Sequence, residues 1–170
     1  AMERLLADPP AHIDVLLMEG TTLGRSGNSK EITSETKLEE LFVSAFRETS
    51  GLALVQTATQ NIDRLVTLYR ACLKARRTLV IDLYTAIILA ATGNSRIPQS
   101  HWPNIATCVP FNQRLIVFRN KWFQQLEAHS RHRLFLKRDI AANPKQYVML
   151  FRNQWRRELE IAQCLSGASF

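Results

Sequence analysis

Apolar and polar positions change period repeatedly along this chain. The run IDVLLM (13–18) is short, partly β-branched and nearly uncharged, as suits a strand buried on both faces. It ends at Glu19 and breaks into Gly20, Thr21 and Thr22. LALVQTAT (52–59) has the same form, an apolar run decaying into small polar residues. TLVIDLYT (78–85), IATCVP (105–110) and YVMLF (147–151) are the other strands predicted by this reading.

Between these runs the period becomes helical. Leu38, Leu41, Phe42, Ala45 and Phe46 recur at the spacing of one helix face, behind Thr36 and Glu39 spaced as a capping box, and Gly51 ends the segment. Asn61 is placed to cap a second helix with a stripe of Ile62, Leu65, Val66, Tyr69, Cys72 and Leu73. LKARR closes it with positive charge at the negative end of the dipole. A short helix over IILAATG, a long one from about Asn112 to Leu136 and a short one from Phe135 to Asn143, stopped by Pro144, are expected next. NQWRRELEIAQCL is a final amphipathic helix with Trp155, Leu159 and Ala162 on one side.

Five strands alternating with helices predict an α/β domain: a doubly wound, mainly parallel five-stranded sheet with helices on both faces, Rossmann-like, in which 13–18 is a central strand. Residues 1–12 form a lead-in without periodicity, and Ala1 before Met2 has the look of an expression scar. Residues 13–170 are the α/β domain. SGASF follows the last helix where an alternating fold would add a strand, so the chain reads as a segment of a larger protein.

Charge adds a second asymmetry. Residues 1–110 carry 11 Lys and Arg against 11 Asp and Glu, whereas 111–170 carry 11 against only Glu127, Asp139, Glu158 and Glu160. The whole net charge of +7 therefore belongs to the last 60 residues, where it is either a footprint for a polyanion or a solvated helical face. No apolar run approaches the roughly 18 residues that cross a bilayer, and no secretion signal is present, so no membrane partner is expected. Three widely spaced cysteines, Cys72, Cys108 and Cys164, argue against a disulfide framework and fit a reducing cytoplasm.

The candidate chemistry lies where strands end. In open parallel sheets the carboxyl edge binds ligands. There the sequence offers Glu19, Thr21 and Thr22, then Thr57, Thr59, Gln60 and Asn61 with Arg64 one turn on, then Tyr84 and Thr85 at the end of the 78–85 strand, with Asp82 within it. Hydroxyls beside a helix N-terminus can hold an anion, or can simply cap helices and make turns. His129 and His132 form an HxxH pair without a third ligand, which reads as part of a solvated basic face. Neither a P-loop nor a GxGxxG pattern is present.

The segments DVLLMEGTTLGR and TSETKLEELFVSAFRETSGLALVQTATQNIDRLVTLYRACLKARRTLVIDLY resemble the β-CASP domain of metallo-β-lactamase-fold nucleases, a group that includes ribonuclease J and the cleavage-and-polyadenylation endonucleases. EGTT is similar to the family's acidic first motif and maps onto Glu19. TQNIDR is similar to the turn carrying Asn and Arg and maps onto Asn61 and Arg64, with Asp63 where ribonuclease J often has His. The resemblance covers about residues 13–85. It implies a substrate-covering insertion domain of a zinc-dependent hydrolase, a nuclease acting on RNA. The zinc ions would sit in a metallo-β-lactamase domain absent from this sequence, so this segment alone would hold no cofactor and be inactive. Glu19 would orient a histidine supplied by that domain, while Thr21, Thr22, Thr57, Thr59, Asn61 and Arg64 would face substrate. The rival reading is a stand-alone Rossmann-like module for an anionic metabolite or a protein partner.

Overall fold

Alternation of apolar side chains between two faces organises the sheet. The computed structural model describes residues 7–8 and 34–170, and the chain divides into units 1–32 and 33–170, of which the second is described below. Its elements are α1 (Glu35–Glu48), β1 (Ala53–Val55), α2 (Ile62–Ala75), β2 (Thr78–Ile81), α3 (Leu83–Ala91), β3 (Ile105–Cys108), α4 (Phe111–Asn120), α5 (Phe123–Ala128), β4 (Arg133–Leu134), β5 (Tyr147–Leu150) and α6 (Arg156–Ile161). Among the described residues the sheet has five strands, all parallel, in the order β1-β5-β2-β3-β4. Register aligns Ala53, Val148, Leu79 and Ile105 in one row and Leu54, Met149, Val80 and Ala106 in the next. The first row packs under Val43 and Phe46 of α1, Leu65, Leu68 and Cys72 of α2, and Ala86 and Leu89 of α3. On the opposite face Val80 and Met149 meet Ile140, Trp155, Leu159 and Cys164. A one-residue slip would exchange the two sets, so the register is tightly specified. The sheet is thus doubly wound, as the βα alternation predicts. No helix among the described residues is long and apolar enough to cross a membrane.

Four of the five expected runs carry strands, each shorter than expected. The segment 13–18 lies outside the described residues, and β4 stands inside the stretch expected to be one long helix. That helix breaks because Lys121 adopts a left-handed conformation (φ 56°), its N–H and that of Trp122 turning back to Phe118 and Val117 carbonyls. After α5 the chain extends, and β4 pairs with β3 through Thr107–Arg133 and Cys108–Leu134. The segment from Phe135 becomes a π-helical turn over Leu136–Ile140 and a 3-10 turn over Pro144–Gln146. The C-terminal segment adds a bridge on the outer side of β1, where Leu54 N–H donates to Ser169 O at 2.8 Å.

Helix α1 also differs from expectation at its start and on its buried face. Ser34, not Thr36, is the N-cap, its Oγ accepting from Lys37 N–H at 3.2 Å, which puts Thr36 inside the first turn. The buried side chains are Glu39, Val43 and Phe46, while Leu41 and Ala45 are exposed. Polar contacts to α2 set that rotation: Glu39 pairs with Lys74 at 2.6 Å and Glu35 with Arg64 at 2.9 Å.

Helix α2 ends as the LKARR pattern implies, but the residue that turns the chain is Arg76, at φ 57°, with Arg77 N–H donating to Cys72 O at 2.9 Å. A left-handed residue with a Cβ costs about 1–2 kcal/mol, part of which glycine regains through relief of that strain and part of which it loses to unfolded-chain entropy. Arg76→Gly should therefore stabilise the domain by up to about 1 kcal/mol in a denaturant titration. Loss of stability would mean that the arginine side chain, rather than the backbone turn, matters at this position.

Arg77 itself is buried, at 4 % exposure. Its guanidinium donates to Gly51 O at 2.9 Å, to Tyr147 O at 3.3 Å and to Thr49 O. It thereby joins the amino ends of β1, β5 and β2, and burial depresses its pKa below the usual arginine value.

Candidate functional site

The winding of the sheet determines where a ligand can enter. Chain leaving β1 and β2 runs to α2 and α3 on one face, whereas chain leaving β5 runs to α6 on the other. Because β5 lies between β1 and β2, crevices open at its carboxyl end. Three loops deliver polar side chains there: Thr59 after β1, Asp82 directly after β2 and Arg152 after β5.

Asp82 holds this cluster together. It is only 1 % exposed. One carboxylate oxygen accepts from Thr85 N–H at 2.8 Å, capping α3; the other accepts from Gln113 Nε2 at 2.6 Å and lies 3.5 Å from Arg152 Nε. Arg152 also donates to Thr59 Oγ1, which lies 3.4 Å from Thr85 Oγ1. Gln113 Oε1 accepts from Leu83 N–H at 3.2 Å, and Gln60 Nε2 donates to Tyr84 Oη at the same distance. Beside the cluster lies a cavity of about 350 Å³, with Asp82, Gln113, Arg152 and Gln154 as its polar lining and Tyr84, Ile116 and Trp122 among its apolar walls. The three wall residues are each more than 40 % exposed. A guanidinium engaged at Nε and one Nη still has donors for a phosphate or carboxylate oxygen, and the apolar walls can take the rest of a small ligand.

The structure sorts the sequence candidates. Glu19, Thr21 and Thr22 lie outside the described residues. Thr59 joins the cluster, and Thr57 is half-buried in the same loop. Asn61 caps α2, its Oδ1 accepting from Arg64 N–H at 3.0 Å. The Arg64 side chain turns to Glu35, whose carboxylate also accepts from Thr67 Oγ1 at 2.7 Å. Those two donors, Arg64 foremost, hold Glu35 below the usual carboxylate pKa. Asp82, Tyr84 and Thr85 are not strand residues, since β2 ends at Ile81 and Asp82 starts α3.

Sequence reasoning missed Gln113 and Arg152. Arg152 had a signal, for it follows the apolar run YVMLF as Glu19 follows IDVLLM. Gln113 had none.

Other groups are less suited to chemistry. His129 is not part of a solvated face: it is half-buried, its Nδ1 2.8 Å from Ser100 Oγ, because the chain turns inward between α5 and β4. Burial, then the charge of His101, holds its imidazole below the usual pKa. His132 is exposed. All three cysteines are free and buried, and burial pushes Cys108 up to about 12, far from the thiolate form a nucleophile needs.

Among the described residues no group of three or more His, Cys, Asp or Glu side chains could hold a metal ion. No family model, curated protein or solved structure matches the chain.

Proposed function

We propose that this chain is the substrate-covering, β-CASP-like domain of a zinc-dependent metallo-β-lactamase-fold hydrolase, a cytoplasmic nuclease acting on RNA. The observation that carries the reading is the convergence of Thr59, Asp82 and Arg152 at the carboxyl edge of an all-parallel sheet, where such sheets meet ligands and where a cation suits a phosphate. The EGTT and TQNIDR segments supply the class. Metal ligands would come from a metallo-β-lactamase domain of the same protein. The chain's own contribution is to bind and orient the strand. A second reading, a module for an anionic metabolite, is favoured by the cavity beside Arg152, whose size and apolar walls suit a small ligand.

The test is hydrolysis of single-stranded RNA by the intact parent with zinc. Cleavage abolished by a chelator is expected, and Glu19→Gln should slow it by about 10- to 100-fold if Glu19 orients a metal-binding histidine. Absence of zinc-dependent cleavage would overturn the nuclease reading. A melting-temperature shift of the parent with small phosphorylated metabolites, but none with RNA, would favour the second.

A further inference from the structure

We infer that the groove at the carboxyl ends of β3 and β4 is a binding site for single-stranded nucleic acid, with Phe111 and Phe135 as stacking surfaces and Arg114, Arg133, Lys137 and Arg157 as phosphate partners. The groove has a volume of about 760 Å³, and α4 and α6 contribute to its lining. It shares Gln154 with the lining of the cavity at Asp82 and is otherwise lined by different residues.

Its rings are displayed rather than buried. Phe111 is 53 % and Phe135 41 % exposed. Each carries a guanidinium: Arg114 Cζ lies 5.6 Å from the Phe111 centroid, and Arg133 and Arg138 lie 5.0 and 4.6 Å from that of Phe135. Ring and guanidinium planes both stack on unpaired bases, and a guanidinium on a ring brings the phosphate-binding charge to the same place.

The electrostatics point the same way. The groove's lining holds four cationic side chains and one carboxylate, Glu158. That carboxylate is engaged with Phe111 N–H, at 2.9 and 3.0 Å from its two oxygens. Asp139 is likewise engaged nearby, accepting from Arg138 and from Phe135 N–H. The net field in the groove is therefore positive. Arg133 adds a specific signal: its Nε is buried without a hydrogen-bond partner among the described residues, although buried donors are ordinarily satisfied. The unpaired donor leaves the Arg133 guanidinium with unused hydrogen-bonding capacity at the groove wall. Phosphate alone would leave the rings unused, and a duplex would hide the base faces they could stack on.

The identity of the strand as RNA rests on the nuclease reading; the groove chemistry itself does not. Fluorescence anisotropy with a labelled single-stranded RNA of about ten nucleotides tests the site on the 170-residue chain. Three to four neutralised phosphates imply about a 20- to 50-fold loss of affinity between roughly 50 and 200 mM salt. Phe135→Ala should weaken binding by about 5- to 100-fold, the usual range for one stacked base. Lys137→Glu should weaken binding and flatten its salt dependence. Thermal melts check that each variant folds, and Phe111→Ala supplies the ring test if Phe135→Ala does not. Equal or tighter binding of the same sequence as a duplex would overturn the site. So would displacement of the RNA by an acidic peptide at equal affinity, or unchanged affinity in folded ring and charge variants. Binding is read on the chain itself, so a parent that cleaves no RNA would sink the nuclease reading and leave the groove standing. Unaltered binding by the variants would sink the groove whatever the parent cleaves.

Discussion

Arg77→Met is expected to lower the midpoint of thermal unfolding by about 6–20 °C, corresponding to about 3–5 kcal/mol in a domain of this size. The guanidinium occupies a place where the amino ends of three strands meet, β1 and β5 being brought beside β2 from distant parts of the chain. Removing it leaves the carbonyls of Thr49, Gly51 and Tyr147 without that donor. Each buried acceptor left unpaired costs about 1–3 kcal/mol. Two effects oppose each other here. The guanidinium was desolvated, as its depressed pKa reflects, so methionine relieves that penalty while roughly preserving the apolar stem. The loss still wins, because a hydrogen bond from a charged donor contributes about 1.5–3 kcal/mol and Arg77 makes three such contacts.

Arg77→Lys separates geometry from charge. An ammonium keeps the positive charge but lacks the planar fork that reaches several carbonyls together. Its melting point should fall between those of the wild type and Arg77→Met. A lysine variant as stable as the wild type would mean that charge alone suffices. A methionine variant within about 0.5 kcal/mol of the wild type would mean that the carbonyls find other donors, contrary to the role assigned to Arg77.

How much of this was written in the sequence varies with the kind of force. The buried runs at 78–81, 105–108 and 147–150 were legible because one periodicity satisfies both faces of a parallel sheet, and Leu79, Val80 and Ile81 all had to be apolar. The two-residue strand β4 was not legible. Its residues, Arg133 and Leu134, carry no strand pattern, and the pairing with Thr107 and Cys108 is supplied by the neighbouring strand. The break before it was equally silent, since a left-handed Lys121 lacks the glycine that usually announces such a turn.

The site shows the same division. Thr59 could be placed at a strand end from the sequence, since it closes an apolar run, whereas Asp82 read as a strand residue and stands in fact just beyond the strand, as the cap of α3. Their partners could not be placed, because Arg152 lies 93 residues from Thr59 and only the strand order brings β5 between β1 and β2. Gln113, in the first turn of α4, acquires its role from a contact 31 residues back. A local pattern reports burial. It does not report which loops converge.

The second large effect is expected at that convergence. Asp82→Ala should destabilise the domain by about 3–5 kcal/mol, because it removes the cap of α3 and strips a partly buried arginine of its carboxylate. Arg152→Met should cost a similar amount for the opposite reason, leaving a carboxylate that is 1 % exposed without its cation. Neither number is the worth of the pair. A buried ion pair replaced as a unit by apolar groups is often neutral in stability, since the desolvation of both charges is relieved together. The double variant Asp82→Leu/Arg152→Met should therefore be less destabilised than the sum of Asp82→Leu and Arg152→Met, with a coupling of about 1–3 kcal/mol in a denaturant cycle. Gln113 limits the recovery, because its Nε2 loses the 2.6 Å contact in any variant without Asp82. Strict additivity would show that the 3.5 Å approach of Arg152 contributes nothing and that Asp82 acts through the α3 cap and Gln113. A positive coupling would identify the pair as one unit, in which a ligand that draws Arg152 away must compensate Asp82 for the charge it loses.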